Sequence, residues 1–139
     1  MENLKALQMI ACDYTILFVE DNKSIQNELI SFLEIFFKEV FVASNGMEGI
    51  KIFKEKKPNL ILTDLAMPKM NGYDMIKNIR EIDKNIEILI LSSHFEPDII
   101  IDFFNIGIEN FIQKPATTLK LSSSFIKAIQ NIQNKNNYY

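Results

Sequence analysis

The chain has 139 residues, of which 47% are hydrophobic and 24% charged; that size and balance call for one compact core and exclude a disordered or low-complexity protein. With 15 basic and 18 acidic residues, the net charge is −3 and no lysine or arginine cluster stands out, so the electrostatic footprint of a nucleic-acid-binding module is missing. The single cysteine, Cys12, excludes an internal disulfide, no run approaches the roughly 18 apolar residues of a membrane span, and the opening MENLKALQMIACD lacks the segments of a secretion signal; the expectation is a cytoplasmic protein with no direct nucleic-acid or membrane partner.

In residues 1–13, Leu4, Leu7 and Ala11 recur at loosely helical spacing, which reads either as a short helix packed on the domain or as a frayed N-terminal extension. Residues 14–135 are expected to form the domain proper. The run Thr15–Val19 (TILFV) breaks off at Glu20-Asp21-Asn22, as a buried parallel strand does when it emerges into a loop. From Ser24, the positions Ile25, Leu29, Phe32, Leu33 and Phe36 keep helical spacing and predict a helix that buries that face. Val40–Ala43 is a second short strand. Asn45-Gly46 punctuates the chain, and Met47, Ile50 and Phe53 form the apolar stripe of a helix that stops before Pro58.

Three more strand and helix pairs follow: Leu60–Thr63 with a helix around Met75, Ile76, Ile79 and Ile82; Ile86–Leu91 with Ile99–Ile106; and Asn110–Ile112 with a last helix through Leu121, Phe125, Ile129 and Ile132. A polar tail is expected at 136–139. The alternation is (βα) five times, an α/β fold in which right-handed crossover helices cover both faces of a parallel five-stranded sheet.

Such a fold places its site outside the carboxyl ends of the strands. Glu20 and Asp21 follow the first strand, Asp64 the third, Ser92 and Ser93 the fourth, and Lys114-Pro115 the fifth. Three carboxylates packed together repel one another unless a cation compensates, and an all-oxygen ligand set points to magnesium or manganese. Asp64, held between an apolar strand and a loop containing Pro and Gly, is the best nucleophile candidate. A carboxylate can attack phosphorus to form an acyl phosphate when cations neutralise the phosphoryl oxygens; Lys114 supplies one such charge, and the Ser92 hydroxyl can donate to a phosphoryl oxygen. Each residue taken alone is more simply a solvated loop side chain. Their occurrence together at successive strand ends favours a site.

The motifs ILFVEDN, LILTDLAMPKMNG, LILSS and NFIQKP occur in this order over about residues 14–133, and together they resemble the receiver domains of two-component response regulators. The resemblance implies a doubly wound, flavodoxin-like sheet of strand order 2-1-3-4-5. It implies that Glu20, Asp21 and Asp64, with the backbone carbonyl of Ala66, hold Mg2+, and that Asp64 is the phosphoacceptor. Lys114 takes the place of the family lysine and Pro115 would follow a cis peptide. Ser92 and Phe111 stand at the switch positions, Phe111 where Tyr is common, and Glu20 where many members carry Asp. Ala66 and His94 stand where side chains influence the lifetime of the phosphoryl group, and His94 is expected to make that lifetime pH-sensitive.

The implied function is a phosphorylation-dependent signalling switch. Asp64 would take a phosphoryl group from a sensor histidine kinase or phosphotransfer protein, and the protein would assist its own phosphorylation and dephosphorylation without being an enzyme acting on other substrates. Output would come from the face made by the fourth crossover helix, the fifth strand and the last helix. The apolar residues Ile99, Ile100, Ile101, Phe103, Phe104 and Ile106 surround too much of their helix for one stripe to bury; they fit either a protein-binding or homodimer face or a more deeply covered helix. The target is then a downstream protein or an effector fused to the receiver in a longer chain. Two rival functions fit the sequence less well: a magnesium phosphohydrolase, disfavoured because Ala66 stands where such an enzyme carries its acid-base Asp, and a degenerate receiver serving as a scaffold, disfavoured by retention of the acids, Ser92 and Lys114.

Overall fold

Each core strand is a run of aliphatic residues because both of its faces are covered, and the pleat sends successive side chains to opposite sides. In the computed structural model, which describes residues 2–67 and 69–137, the order is α1 (Glu2–Ala11), β1 (Thr15–Val19), α2 (Lys23–Phe36), β2 (Glu39–Ala43), α3 (Gly46–Lys56), β3 (Leu60–Asp64), α4 (Gly72–Ile82), β4 (Glu87–Ser92), α5 (Pro97–Asn105), β5 (Asn110–Gln113) and α6 (Thr118–Asn137). The five strands are parallel in the order β2-β1-β3-β4-β5. This is the expected flavodoxin-like α/β sheet. Ile16, Phe18, Leu60 and Leu62 point into a core shared with α1, α2 and α6. Their neighbours Leu17, Val19 and Ile61 point into the opposite core, under α3, α4 and α5.

Three helix starts are set by asparagine. The side chains of Asn22, Asn45 and Asn71 accept from the backbone N–H groups of Ile25, Glu48 and Asp74, capping α2, α3 and α4. Each cap satisfies a donor that the helix itself leaves free, a contribution of about 1 kcal/mol. Of the two readings of residues 1–13, the structure shows a packed helix: Leu7 and Ala11 are fully buried, and Leu4 and Ile10 lie against the same core. At the other end α6 runs on through Asn136 and Asn137, the first half of the expected polar tail; Tyr138 and Tyr139 lie outside the described residues.

Two predicted core positions are corrected. Met47 is 59% exposed and Ile82 54% exposed. The buried stripe of α3 runs through Gly46, Gly49 and Phe53; a Cβ on Gly49 would lie 2.6 Å from Met75 Sδ, so α3 approaches α4 along a face without side chains and Met47 is turned outward. In α4 the stripe Gly72, Met75, Ile76 and Ile79 leaves Ile82 off-axis. None of the described helices is long and apolar enough to cross a membrane.

Candidate phosphoacceptor and metal site

Strand register assembles the site. Val19 pairs with Thr63, which sets Glu20 level with Asp64. Ser92 pairs with Gln113, which sets Lys114 one step beyond the edge, and the Lys114 N–H donates to the Ser92 carbonyl at 2.9 Å. The Lys114-Pro115 peptide is cis, as expected. Carboxylate oxygens of Glu20, Asp21 and Asp64 all lie within 4.8 Å of one another. Lys114 Nζ stands 3.4 Å from Asp64 Oδ1 and 3.5 Å from Glu20 Oε1.

Glu20 and Asp64 are buried, whereas Asp21 is exposed. The Asn22 N–H donates to Glu20 Oε2 at 3.2 Å and the Leu65 N–H to Asp64 Oδ1 at 2.9 Å, so each acid is oriented by the backbone that follows it. Glu20 Oε1 is buried without a hydrogen-bond partner; its contact with Lys114 is an ion pair outside hydrogen-bond geometry. A buried carboxylate oxygen without a hydrogen bond is costly, and this carboxylate lies beside two further acids. Hard oxygen donors, one of them orphaned, fit a hard divalent cation such as magnesium or manganese, completed by carbonyls and water.

Burial holds the Glu20 carboxyl above its ordinary pKa; the Asp64 charge raises it further, while the Asn22 N–H and Lys114 oppose the rise. The folded state therefore binds this proton more readily than the unfolded chain does. The resulting stability is present at pH below the ordinary carboxyl value and is lost as pH rises through the folded pKa. A divalent cation needs the ionised form and competes with that proton. The increase in melting temperature caused by magnesium should accordingly grow as pH is raised from about 5 to about 8. A shift of constant size across that range, measured by calorimetry at fixed free magnesium, would separate Glu20 from the ion.

The loop after Asp64 is clamped by two glycines. The Gly72 N–H donates to the Leu65 carbonyl at 2.8 Å, and a Cβ there would lie 2.2 Å from the Asp64 carbonyl oxygen. The Gly46 N–H donates to the Met70 carbonyl at 2.9 Å. Gln26, buried on α2, donates to the Glu20 carbonyl at 2.8 Å. Sequence reasoning did not single out Gly72, Gly46 or Gln26 as supports of the site. A polar residue on the apolar stripe of α2 was the available signal for Gln26, and the MNG step after Asp64 was the signal for Gly72.

The remaining predicted residues are placed as follows. Ala66 is exposed in the loop directly after Asp64. The Ser92 hydroxyl is engaged within its own loop, donating to the His94 carbonyl at 2.8 Å. His94 is exposed, with Nε2 3.0 Å from Glu96 Oε1. Phe111 is half-buried, edge-on to Phe95 with ring centroids 5.4 Å apart, and tilted toward Phe103 and Phe104.

Comparison with known proteins identifies the family of the chain. Residues 16–125 match the model of the response regulator receiver domain. A chemotaxis protein CheY from Thermotoga maritima is 40% identical over 73 residues, 52% of this chain and 61% of that protein. A probable transcriptional regulator ycf27 of Porphyridium aerugineum is 30% identical over 125 residues, 88% of this chain and 52% of the relative. The chain thus spans about half to three-fifths of the length of these two relatives. Among solved structures, a CheX-CheY complex with BeF3 and Mg2+ from Borrelia burgdorferi superimposes with a TM-score of 0.77 at 25% identity, covering 84% of this chain and 89% of that one.

Proposed function

Because the chain belongs to the response regulator receiver domain family of two-component signalling, we propose that Asp64 is its phosphoacceptor and that residues 14–135 are the unit that switches. The observation that carries this reading is the meeting of three carboxylates within 4.8 Å of one another, with an ammonium 3.4 Å from Asp64. An Asp64 oxygen attacks the phosphorus of a phosphohistidine on a sensor kinase or phosphotransfer protein; the O–P bond forms, the P–N bond breaks, and the imidazole leaves. Water later attacks the same phosphorus, the Asp64 O–P bond breaks, inorganic phosphate leaves and Asp64 returns as a carboxylate. Glu20, Asp21, Asp64 and the Ala66 carbonyl would hold magnesium, which supplies positive charge opposite the phosphoryl oxygens. Lys114 supplies a second charge. The protein contributes position and charge neutralisation, without an acid-base group for a leaving alcohol.

On this reading the switch works through Ser92 and Phe111. A phosphoryl group adds roughly −1.5 to −2 charge at pH 7; Ser92 would exchange its loop partner for a phosphoryl oxygen, and Phe111 would repack. Ala66 and His94 stand at the family positions whose side chains influence how long the group survives. The output face is α5, β5 and α6. Its support is the exposure of Ile101 at 57% and Phe104 at 58% beside buried Phe103, an apolar surface suited to a downstream protein, a fused effector or a second copy of the chain. The setting is the cytoplasm.

The test is intact mass after incubation with a small phosphodonor and magnesium. The native chain should gain the mass of one phosphoryl group, mapped to Asp64, and should gain nothing when the metal is chelated. An unmodified chain under both conditions would rule out autonomous phosphorylation.

A further inference from the structure

The described geometry gives α5 a connection to the acidic site that does not pass through Ser92 or Phe111. The Ser92 hydroxyl is occupied in its own loop, and Phe111 has no hydroxyl to exchange partners. A hydroxyl does reach α5 from α4. Tyr73 donates to Asp102 Oδ2 at 3.2 Å, and its ring lies tilted on Phe103 with centroids 5.2 Å apart. Phe103 in turn packs on Phe111 at 6.2 Å.

Tyr73 directly follows Gly72, whose N–H is bonded to the Leu65 carbonyl and whose Cα has no space for a side chain against the Asp64 backbone. Displacement of the loop after Asp64 therefore moves the start of α4 and Tyr73 with it. The far end of α5 is held separately. The Arg80 guanidinium, buried at the end of α4, donates through Nε to the Ile106 carbonyl at 2.7 Å and through a terminal nitrogen to the Gly107 carbonyl at 3.4 Å. α5 is thus pinned at its C-terminal end by Arg80 and latched nearer its middle by Tyr73.

We propose that Tyr73 is a positioning residue that transmits the state of Asp64 to α5, with its hydroxyl on Asp102 as the latch and Arg80 as the pivot. This rests on Asp64 being the phosphoacceptor. Tyr73→Phe keeps the ring on Phe103 and removes only the hydroxyl. Hydrogen exchange of the α5 amides is the readout, taken without donor and with beryllium fluoride plus magnesium, while phosphoryl uptake is followed by intact mass. Without donor, exchange over α5 should rise about three- to tenfold in Tyr73→Phe and in Asp102→Ala, each of which loses the one hydrogen bond between the tyrosine hydroxyl and a partly solvated carboxylate. The double variant should add nothing further.

With beryllium fluoride and magnesium, the α5 response of the native chain should be largely lost in Tyr73→Phe, although in a parallel incubation with a small phosphodonor and magnesium Asp64 of the variant still takes up a phosphoryl group. Exchange over α5 equal to native without donor overturns the latch. Native-like uptake with an undiminished α5 response in Tyr73→Phe overturns transmission and leaves the phosphoacceptor reading intact. Absence of uptake in the native chain removes that reading and transmission together, and the donor-free comparison then reports on the latch alone.

Discussion

Asp64→Asn should take up no phosphoryl group from a small donor, at any magnesium concentration, while melting no lower than the native chain in the absence of metal. The substitution is close to isosteric, and the amide oxygen can still accept the Leu65 N–H that Asp64 Oδ1 accepts at 2.9 Å. What it removes is nucleophilic charge. It also removes one of two buried carboxylates that repel each other, since the Asp64 charge is among the causes that raise the Glu20 carboxyl; Lys114 keeps Glu20 as a partner at 3.5 Å. Magnesium should bind more weakly to the variant, because one anionic ligand is gone. Intact mass and a melting curve, each with and without metal, check the three expectations together. Uptake by the variant would move the phosphoacceptor to another side chain. A melting temperature well below native without metal would mean that Asp64 stabilises the fold more through Lys114 than it strains it through Glu20.

Burial explains which parts of this molecule could be read from its sequence. TILFV and LILTD are apolar because both faces of those strands are covered, so their limits came out within a residue, and with them the strand ends that carry Glu20, Asp21 and Asp64. The alternation of strands and helices placed Lys114 at the same sheet edge as these acids before any distance was known. Features depending on contact between two elements were not legible. Met47 and Ile82 scored as core by hydropathy, yet α3 packs through Gly46 and Gly49, whose value is the absence of a side chain. Residues 1–13 admitted two readings, and only packing of Leu7 and Ala11 into the core decided between them. The partner of the Ser92 hydroxyl, the burial of Arg80 against carbonyls at the end of α5, and the Tyr73–Asp102 pair each require side-chain directions that periodicity does not contain.

Lys114→Met should separate metal binding from phosphoryl transfer. Lys114 is one-quarter exposed and contacts both buried acids; methionine retains much of the apolar stem and discards the charge. Without the ammonium, Glu20 and Asp64 lose the cation that offsets their repulsion, and the Lys114 influence that lowers the Glu20 carboxyl disappears. Stability without metal should fall, most at high pH where Glu20 is ionised, and magnesium should restore most of it. Magnesium affinity at pH 8 should be equal to or tighter than native, since a competing positive charge has left the pocket. Phosphoryl transfer should nevertheless slow by about 10²–10³, the cost of removing one preorganised donor aimed at developing charge. Titration of metal by calorimetry and the rate of mass gain from a small donor measure the two quantities independently. If both fell in proportion, Lys114 would be supporting the metal ligands rather than the transferring group, and if neither changed, the ammonium 3.4 Å from Asp64 would be a bystander to the chemistry.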